Sequence, residues 1–335
     1  MSKSDAINLQ DFMLQPEDLA FGHSLGLRPL GIVDLDVASD RLPEDVELPP
    51  FPVIGLGRPD APIAGRLDAV IEPPFQIGGV VEAVLAFPVA AAVCVQLLRR
   101  LGAGELEHQL FIESLAYGLL QGGEEHKQWM QSRQGAEAVQ SEGEVRVTRH
   151  GDTLHILLNR PDARNAIDAG MRDALRAAFL VGAMDAGISR IFLRGAGKAF
   201  CVGAELEEFG STRDPALAHL IRTVTLPAHM IARCADKLDV HVQGGCVGAG
   251  LEMSAFAGRI TATRTAWFQL PELAMGVIPG AGGSVSVSRR IGRQRTALMV
   301  LAGRRINAKT ALDWGLVDEI VDDDSVYPDG AHVAG

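Results

Sequence analysis

The sequence predicts an α/β fold with a mostly helical region ahead of it, and three observations carry that prediction. From residue 143 onward, short runs with apolar residues at alternate positions are interleaved with longer runs of helical period. Glycine-rich turns separate strand patterns from the helix patterns that follow them. Before residue 140 the two longest patterned segments, 79–101 and 104–120, have the length and spacing of helices.

Residues 1–50 are acidic, lack sustained periodicity and end in "LPEDVELPPFP", where clustered prolines oppose helix; they are expected to form an irregular N-terminal arm. Residues 51–140 are expected to form a mostly helical domain that opens with a short strand in "FPVIGLG". "VVEAVLAFPVAAAVCVQLLRR", 80–100, is apolar enough to raise a membrane span, but Glu82 and Pro88 interrupt it, so a buried helix is expected and no membrane partner. "GELEHQLFIESLAYGLLQGG" places Leu106, Leu110, Ile112, Leu115 and Leu119 on the face expected to dock, and stops at Gly122 and Gly123. "QSRQGAEAVQSEGE", 131–144, is polar and small, as a linker would be.

The α/β part is expected over 143–322. Val145, Val147, Leu154, Ile156 and Leu158 alternate about the turn His150-Gly151-Asp152, which predicts a hairpin. A helix in "AIDAGMRDALRAAFLVGAMDAG", a strand in "SRIFLRG", a glycine-broken loop, a helix over 214–235 and a strand in "LDVHVQG" follow. The acidic, turn-rich 323–335 is expected to be a disordered tail.

Composition excludes several classes of function. The net charge of −11 and the lack of a basic stripe argue against a nucleic-acid partner. Cys94, Cys201, Cys234 and Cys246 form no C-x-x-C pair and no histidine cluster at ligand spacing accompanies them, so no metal site is expected and a reducing compartment is. The start lacks a basic segment followed by an apolar one, which makes the cytoplasm the expected location.

Two loops carry candidate chemistry. In "KAFCVGAELEEF", 198–209, Gly203 lets the backbone turn so that an amide, that of Ala204, points into a cleft. In "VQGGCVGAGLEMSAFAG", 242–258, Gly248 and Gly250 permit close backbone approach, and a helix starting near Ala249 leaves N–H groups suited to an oxyanion. A phosphate loop or a packing turn is the plainer reading, although the spacing fits neither G-x-G-x-x-G nor G-x-x-x-x-G-K-[ST]. Glu252 in a first helical turn and Glu272 in a loop are each ordinary acids in isolation.

Taken together these stretches resemble the crotonase (enoyl-CoA hydratase/isomerase) superfamily over residues 143–322. "LNRPDARNAID", "KAFCVGAEL", "GGCVGAGLEMS", "FQLPELAMGVIPGAGG" and "AGRRINAKTALDWGLVDEIV" match its motifs in order. The resemblance implies a spiral of β-β-α turns that binds an acyl-CoA thioester, with coenzyme A entering as part of the substrate and no other cofactor. It implies an oxyanion hole from the amides of Ala204 and Ala249, contacts from Ala199, Phe200, Val202, Gly203, Gly248, Gly250 and Pro271, and catalysis by Glu252 and Glu272. Retention of both acids favours a hydratase, a lyase of fatty-acid type giving 3-hydroxyacyl-CoA, in a homotrimer or hexamer.

The match departs from the family in three ways. Ala249 stands where relatives have glycine, which puts a methyl beside the thioester and restricts φ, and Glu205 replaces an aspartate. Relatives continue after the equivalent of "LVDEIV" in helix that caps the acyl pocket and builds the trimer, so this cap is expected to be truncated, with the N-terminal region as its substitute. "ESLAYGLLQGGEEHKQWMQ", 113–131, is similar to the helical N-terminal region of the dihydroxyphenylacetyl-CoA dioxygenase branch. That similarity keeps open a cofactor-free oxygenase acting on an aryl-acetyl-CoA, with Phe200, Phe209, Trp267 and Phe268 as pocket aromatics. An isomerase and a non-catalytic acyl-CoA-binding subunit are further alternatives.

Overall fold

The computed structural model describes residues 7–37, 45–102, 104–133 and 143–322. The predicted tail and most of the predicted linker, 134–142, lie outside them. Along the chain come β1 Gly31–Asp34, β2 Val53–Leu56, β3 Ala69–Val70, α1 Ile77–Ala86, α2 Pro88–Arg100, α3 Leu106–Gln121 and α4 Glu124–Ser132. Next are β4 Glu144–His150, β5 Thr153–Asn159, α5 Ala169–Met184, β6 Arg190–Gly195, α6 Pro215–Thr225, α7 Ala228–Ile231, β7 Leu238–Val242, β8 Gly245–Val247 and α8 Ala249–Ser254. The remainder is β9 Arg259–Thr263, β10 Trp267–Gln269, α9 Gly283–Ile291, α10 Arg293–Ala302, β11 Ile306–Asn307, α11 Ala308–Asp313 and β12 Glu319–Val321. Two compact units form, one from Met1–Ala136, Phe209–Val224 and Leu270–Arg304, the other from Glu137–Glu208, Thr225–Gln269 and Arg305–Gly335.

In the first unit β1, β2 and β3 make a parallel three-stranded sheet, Gly31 opposite Val53 and Ile54 opposite Ala69. Leu14, Leu19, Val33, Leu35, Phe51, Val53, Ile63 and Leu67 are buried together around it. The segment before residue 50 is therefore no irregular arm over its described part. Gly31–Val33 is buried throughout, and a short strand covered on both faces shows a continuous apolar run in place of alternation.

The helix expected over 79–101 is two. α1 ends at Ala86, and α2 starts at Pro88 with its axis turned by 108°. Proline has no N–H to donate and fits the first position of a new helix. The Glu125 carboxylate accepts the next two amides, Val89 N at 2.8 Å and Ala90 N at 2.9 Å, and so caps α2. Among the described residues no single helix is long and apolar enough to cross a membrane.

α3 buries a different face from the expected one. Gln109, Leu110, Glu113, Ser114, Gly118 and Leu120 are buried, whereas Phe111, Leu115 and Leu119 are 45%, 46% and 68% exposed. Distant polar partners choose this face. Glu113 accepts from Gly282 N and Ser284 N, both at 2.7 Å, satisfying amides at the start of α9. Ser114 meets His219 Nδ1 at 2.9 Å and accepts from Arg222 Nε at 3.0 Å. A buried carboxylate left without such donors costs more than exposing two leucines.

The second unit holds a six-stranded sheet in the order β12-β9-β7-β6-β5-β4 and a three-stranded sheet β11-β10-β8. β4 and β5 form the predicted hairpin, with Gly151 at φ 62° in its turn. The rest of the larger sheet is parallel. The pairs β7/β8 and β9/β10 each place one strand in either sheet, which is the predicted spiral turn, and α8 completes the first of them. The helix expected over 214–235 stops at Thr225, because Pro227 excludes a continuous helix, and resumes as α7.

Candidate active site

The first glycine loop is held from below by Asn165. With φ 57° this residue lies in the left-handed region that asparagine tolerates better than most. Its Oδ1 accepts from Arg160 N at 2.8 Å, and its Nδ2 donates to Ala196 O, Ala199 O and Phe200 O at 2.8, 2.9 and 3.0 Å. The side chain therefore pins the turn before the loop from the inside, at 0% exposure. Asn165→Ala is expected to cost about 3 kcal/mol in urea denaturation, because buried carbonyls lose their donor and alanine resists positive φ.

Arg160, also buried, donates through Nη1 to Glu205 Oε2 at 2.7 Å and to Ala166 O at 3.1 Å. Glu205 thus ties the far end of the loop to the strand end at 160, a role beyond the helix-start acid expected for it. Ile167 N donates to Gly203 O and Glu205 N to Ile167 O, both at 2.8 Å. Successive amides of extended backbone point to opposite sides, so the Ala204 N–H between these bonds faces away from residue 167. Among the described residues it has no acceptor.

The second loop is laced to the first. Phe200 N donates to Gln243 O at 2.8 Å, Cys201 N to Gly245 O at 3.1 Å and Val247 N to Cys201 O at 2.9 Å. A Cβ on Gly203 would stand 3.3 Å from Val247 O and 3.8 Å from Ala249 N, so the two loops abut. A Cβ on Gly250 would meet Cys201 Cβ at 2.7 Å, which makes glycine obligatory there. Gly248, at φ 48°, takes the unusual backbone conformation, and Ala249 opens α8 with ordinary negative φ. The alanine in place of glycine is therefore unstrained. Its N–H also lacks an acceptor among the described residues.

Two open amides on abutting loops form a donor pair of the kind that holds an oxyanion. Glu252 lies one turn beyond Ala249 on α8, in the same unit, and is 2% exposed. Of the other positions named from the sequence, Val202 keeps some exposure, whereas Ala199, Gly203, Gly248 and Gly250 are buried supports of the loops. Phe200 and Phe268 are fully buried core residues, and Trp267 lies under the Arg305 guanidinium at 3.7 Å. Those three aromatics are explained by packing.

Glu272 belongs to the other unit, where it is 6% exposed and begins a tight turn, Glu272–Met275, after Pro271. Gly276, at φ 67°, ends the turn, and a Cβ on it would stand 2.6 Å from His126 N. The His126 ring donates through Nδ1 to Met275 O at 2.8 Å. It stacks on Trp129 with centroids 5.4 Å apart, and Phe209 packs edge-on against Trp129 at 5.6 Å. α4 thus clamps the turn that carries Glu272. The buried Cys94 thiol of α2 is pushed far above its ordinary range, first by burial and then by the charges of Asp68, Glu272 and Glu113.

Burial also pushes the His126 pKa below its ordinary 6.5, against the bond to Met275. A folded value below the unfolded one gives stability that is complete above pH 6.5 and lost as pH falls through the lowered value. Urea denaturation at about pH 7.5 and about pH 5 is expected to show this loss in the parent chain and less of it in His126→Asn.

Asn165, Arg160, Glu113 and His126 were not singled out as site supports by sequence reasoning. Arg160 and Asn165 fall within "LNRPDARNAID" and bond to each other's neighbourhood, which is a local signal; Glu113 and His126 act on partners far along the chain.

Comparison with known proteins bears on the family. The enoyl-CoA hydratase/isomerase family matches residues 149–334. The chain is 35% identical over 180 residues to mevalonyl-coenzyme A hydratase SIDH of Beauveria bassiana, covering 50% of this chain and 63% of that protein's length. It is 32% identical over 182 residues to the 2,3-dehydroadipyl-CoA hydratase of Escherichia coli, covering 54% and 70%. Among solved structures, an enoyl-CoA hydratase/carnithine racemase from Magnetospirillum magneticum superposes with a TM-score of 0.50 at 29% identity over 57% of this chain and 73% of that one. The open amide pair, the glycine loops that present it and these matches lead to one conclusion: the chain belongs to the crotonase, or enoyl-CoA hydratase/isomerase, family.

Proposed function

We propose that the protein is an enoyl-CoA hydratase that adds water across the 2,3-double bond of an acyl-CoA thioester to give a 3-hydroxyacyl-CoA. The observation that carries the reading is the pair of acceptor-free amides, Ala204 and Ala249, on abutting loops with Glu252 one helical turn away. Water attacking Cβ pushes the double-bond electrons toward the thioester oxygen, and the two N–H groups stabilise the resulting enolate. Glu252 takes the proton from the attacking water. The Cα proton is assigned to Glu272 by its place in the family's P-E-x-x-x-G motif. Hydration consumes no electrons; after one turnover Glu252 holds the proton taken from water and Glu272 lacks the one given to Cα, so a proton returns from Glu252 to Glu272 by way of solvent before the next cycle.

Incubation with crotonyl-CoA tests the reading, with loss of the enoyl absorbance as the expected result. Oxygen uptake with an aryl-acetyl-CoA, or CoA binding without turnover of either substrate, would replace it with the oxygenase or the binding-subunit reading.

A further inference from the structure

Independently of the hydratase reading, we propose that the first unit carries an anion site for a diphosphate-type ligand, built by Arg66, Arg99, Arg100 and Arg293. These four guanidiniums line one cleft of about 360 Å³, a volume within the usual range for small-ligand pockets. Asp68, 1% exposed, lies beneath it and accepts from Arg99 at 2.6 and 2.8 Å and from Arg293 at 3.3 Å. Arg99 is further committed to Pro49 O at 2.6 Å and Phe51 O at 3.0 Å, and Arg293 to Leu67 O at 2.9 Å. Those two hold the fold.

The other two arginines are not needed for that task. The Arg100 side chain bonds only to Gln96 O in its own helix, at 3.0 Å, and the Arg66 guanidinium has no hydrogen-bond or ion-pair partner among the described residues. At the rim the Glu47 carboxylate lies 2.5 Å from His23 Nδ1, and it is not among the groups that line the cleft. Four guanidiniums against the one carboxylate of Asp68 leave a surplus of three positive charges, in a chain whose net charge is −11. Like charges converging on one cleft repel each other; burial lowers the proton affinity of Arg293, Asp68 raises it in part, and Arg99 lowers it by less than Asp68 raises it. An anion entering the cleft removes this repulsion.

Charge and geometry select the ligand class. Guanidinium forks match phosphoryl oxygens in pairs. A diphosphate or bisphosphate carries roughly three or more negative charges near neutral pH, which matches the surplus. A free diphosphate and the bisphosphate end of a coenzyme A share this chemistry.

The test is calorimetric titration of the full chain at low salt with sodium pyrophosphate. Saturable binding is expected in the parent chain, weakened about tenfold or more in Arg66→Ala/Arg100→Ala. Both replaced side chains are exposed, so melting temperature should not change; if it does, Arg66→Gln/Arg100→Gln repeats the measurement with the side-chain length largely kept. Displacement of pyrophosphate by coenzyme A or adenosine 3′,5′-bisphosphate identifies the nucleotide end as the source, and failure to displace identifies a free diphosphate. Absence of saturable binding in the parent chain, or equal affinity in the double variant, overturns the proposal.

Discussion

Replacing Glu252 with glutamine is expected to lower kcat for crotonyl-CoA hydration by about a thousandfold while acyl-CoA affinity stays near that of the parent chain. The amide has the size of the carboxylate, so a side chain 2% exposed can be exchanged without opening a cavity. It cannot take a proton from water, and the barrier rises by the lost general-base contribution. Glu252 also sits in a helix whose first amides remain available, so the substitution leaves the donor pair intact. Glu272→Gln is expected to act in the same direction through the Cα proton. Stopped-flow absorbance at saturating substrate, with binding measured separately by titration of a saturated acyl-CoA, checks both. Parent-like turnover in Glu252→Gln would remove the paired-acid mechanism.

Removing the Ala249 N–H is the second large effect. Ala249→Pro is expected to reduce kcat by about a hundredfold, the typical cost of losing one oxyanion donor. Proline is accepted at the first position of a helix, where no intrahelical bond is lost. Residues before proline are restricted mainly by their own Cβ, and residue 248 is glycine, with φ 48°. Glu252 N keeps its bond to Gly248 O at 2.8 Å, so the acid stays in its helix. The variant therefore separates the donor from the fold: melting temperature should change little while turnover collapses. An unchanged kcat would show that the thioester oxygen lies elsewhere.

Glu252 and Ala249 both lie in the second unit, whose local structure is encoded differently from that of the first. The loops at 198–209 and 242–258 announce themselves through glycines whose need is local: Gly203 at φ 103°, Gly248 at φ 48° and Gly250 against Cys201 admit no other residue easily. The hairpin about Gly151 and the helix α5 are equally local, since alternation and helical period follow from which face of each element is covered. These features, with the order of the motifs, were legible in the amino-acid sequence and sufficed for the fold and for locating the two glycine loops.

Other features depended on pairings that no short window contains. The sequence placed Leu115 and Leu119 of α3 inward, but Glu113, 169 and 171 positions away from its partners Gly282 and Ser284, turned the helix so that they face outward. The turn bearing Glu272 is clamped by His126, 149 positions before Met275, and the arginine cleft joins residues 66 and 99 to residue 293. Local propensity and periodicity determine which segments are strand, helix or glycine turn. Tertiary structure alone decided which buried charges and amides would meet, because an unpaired buried charge costs more than any local preference can offset.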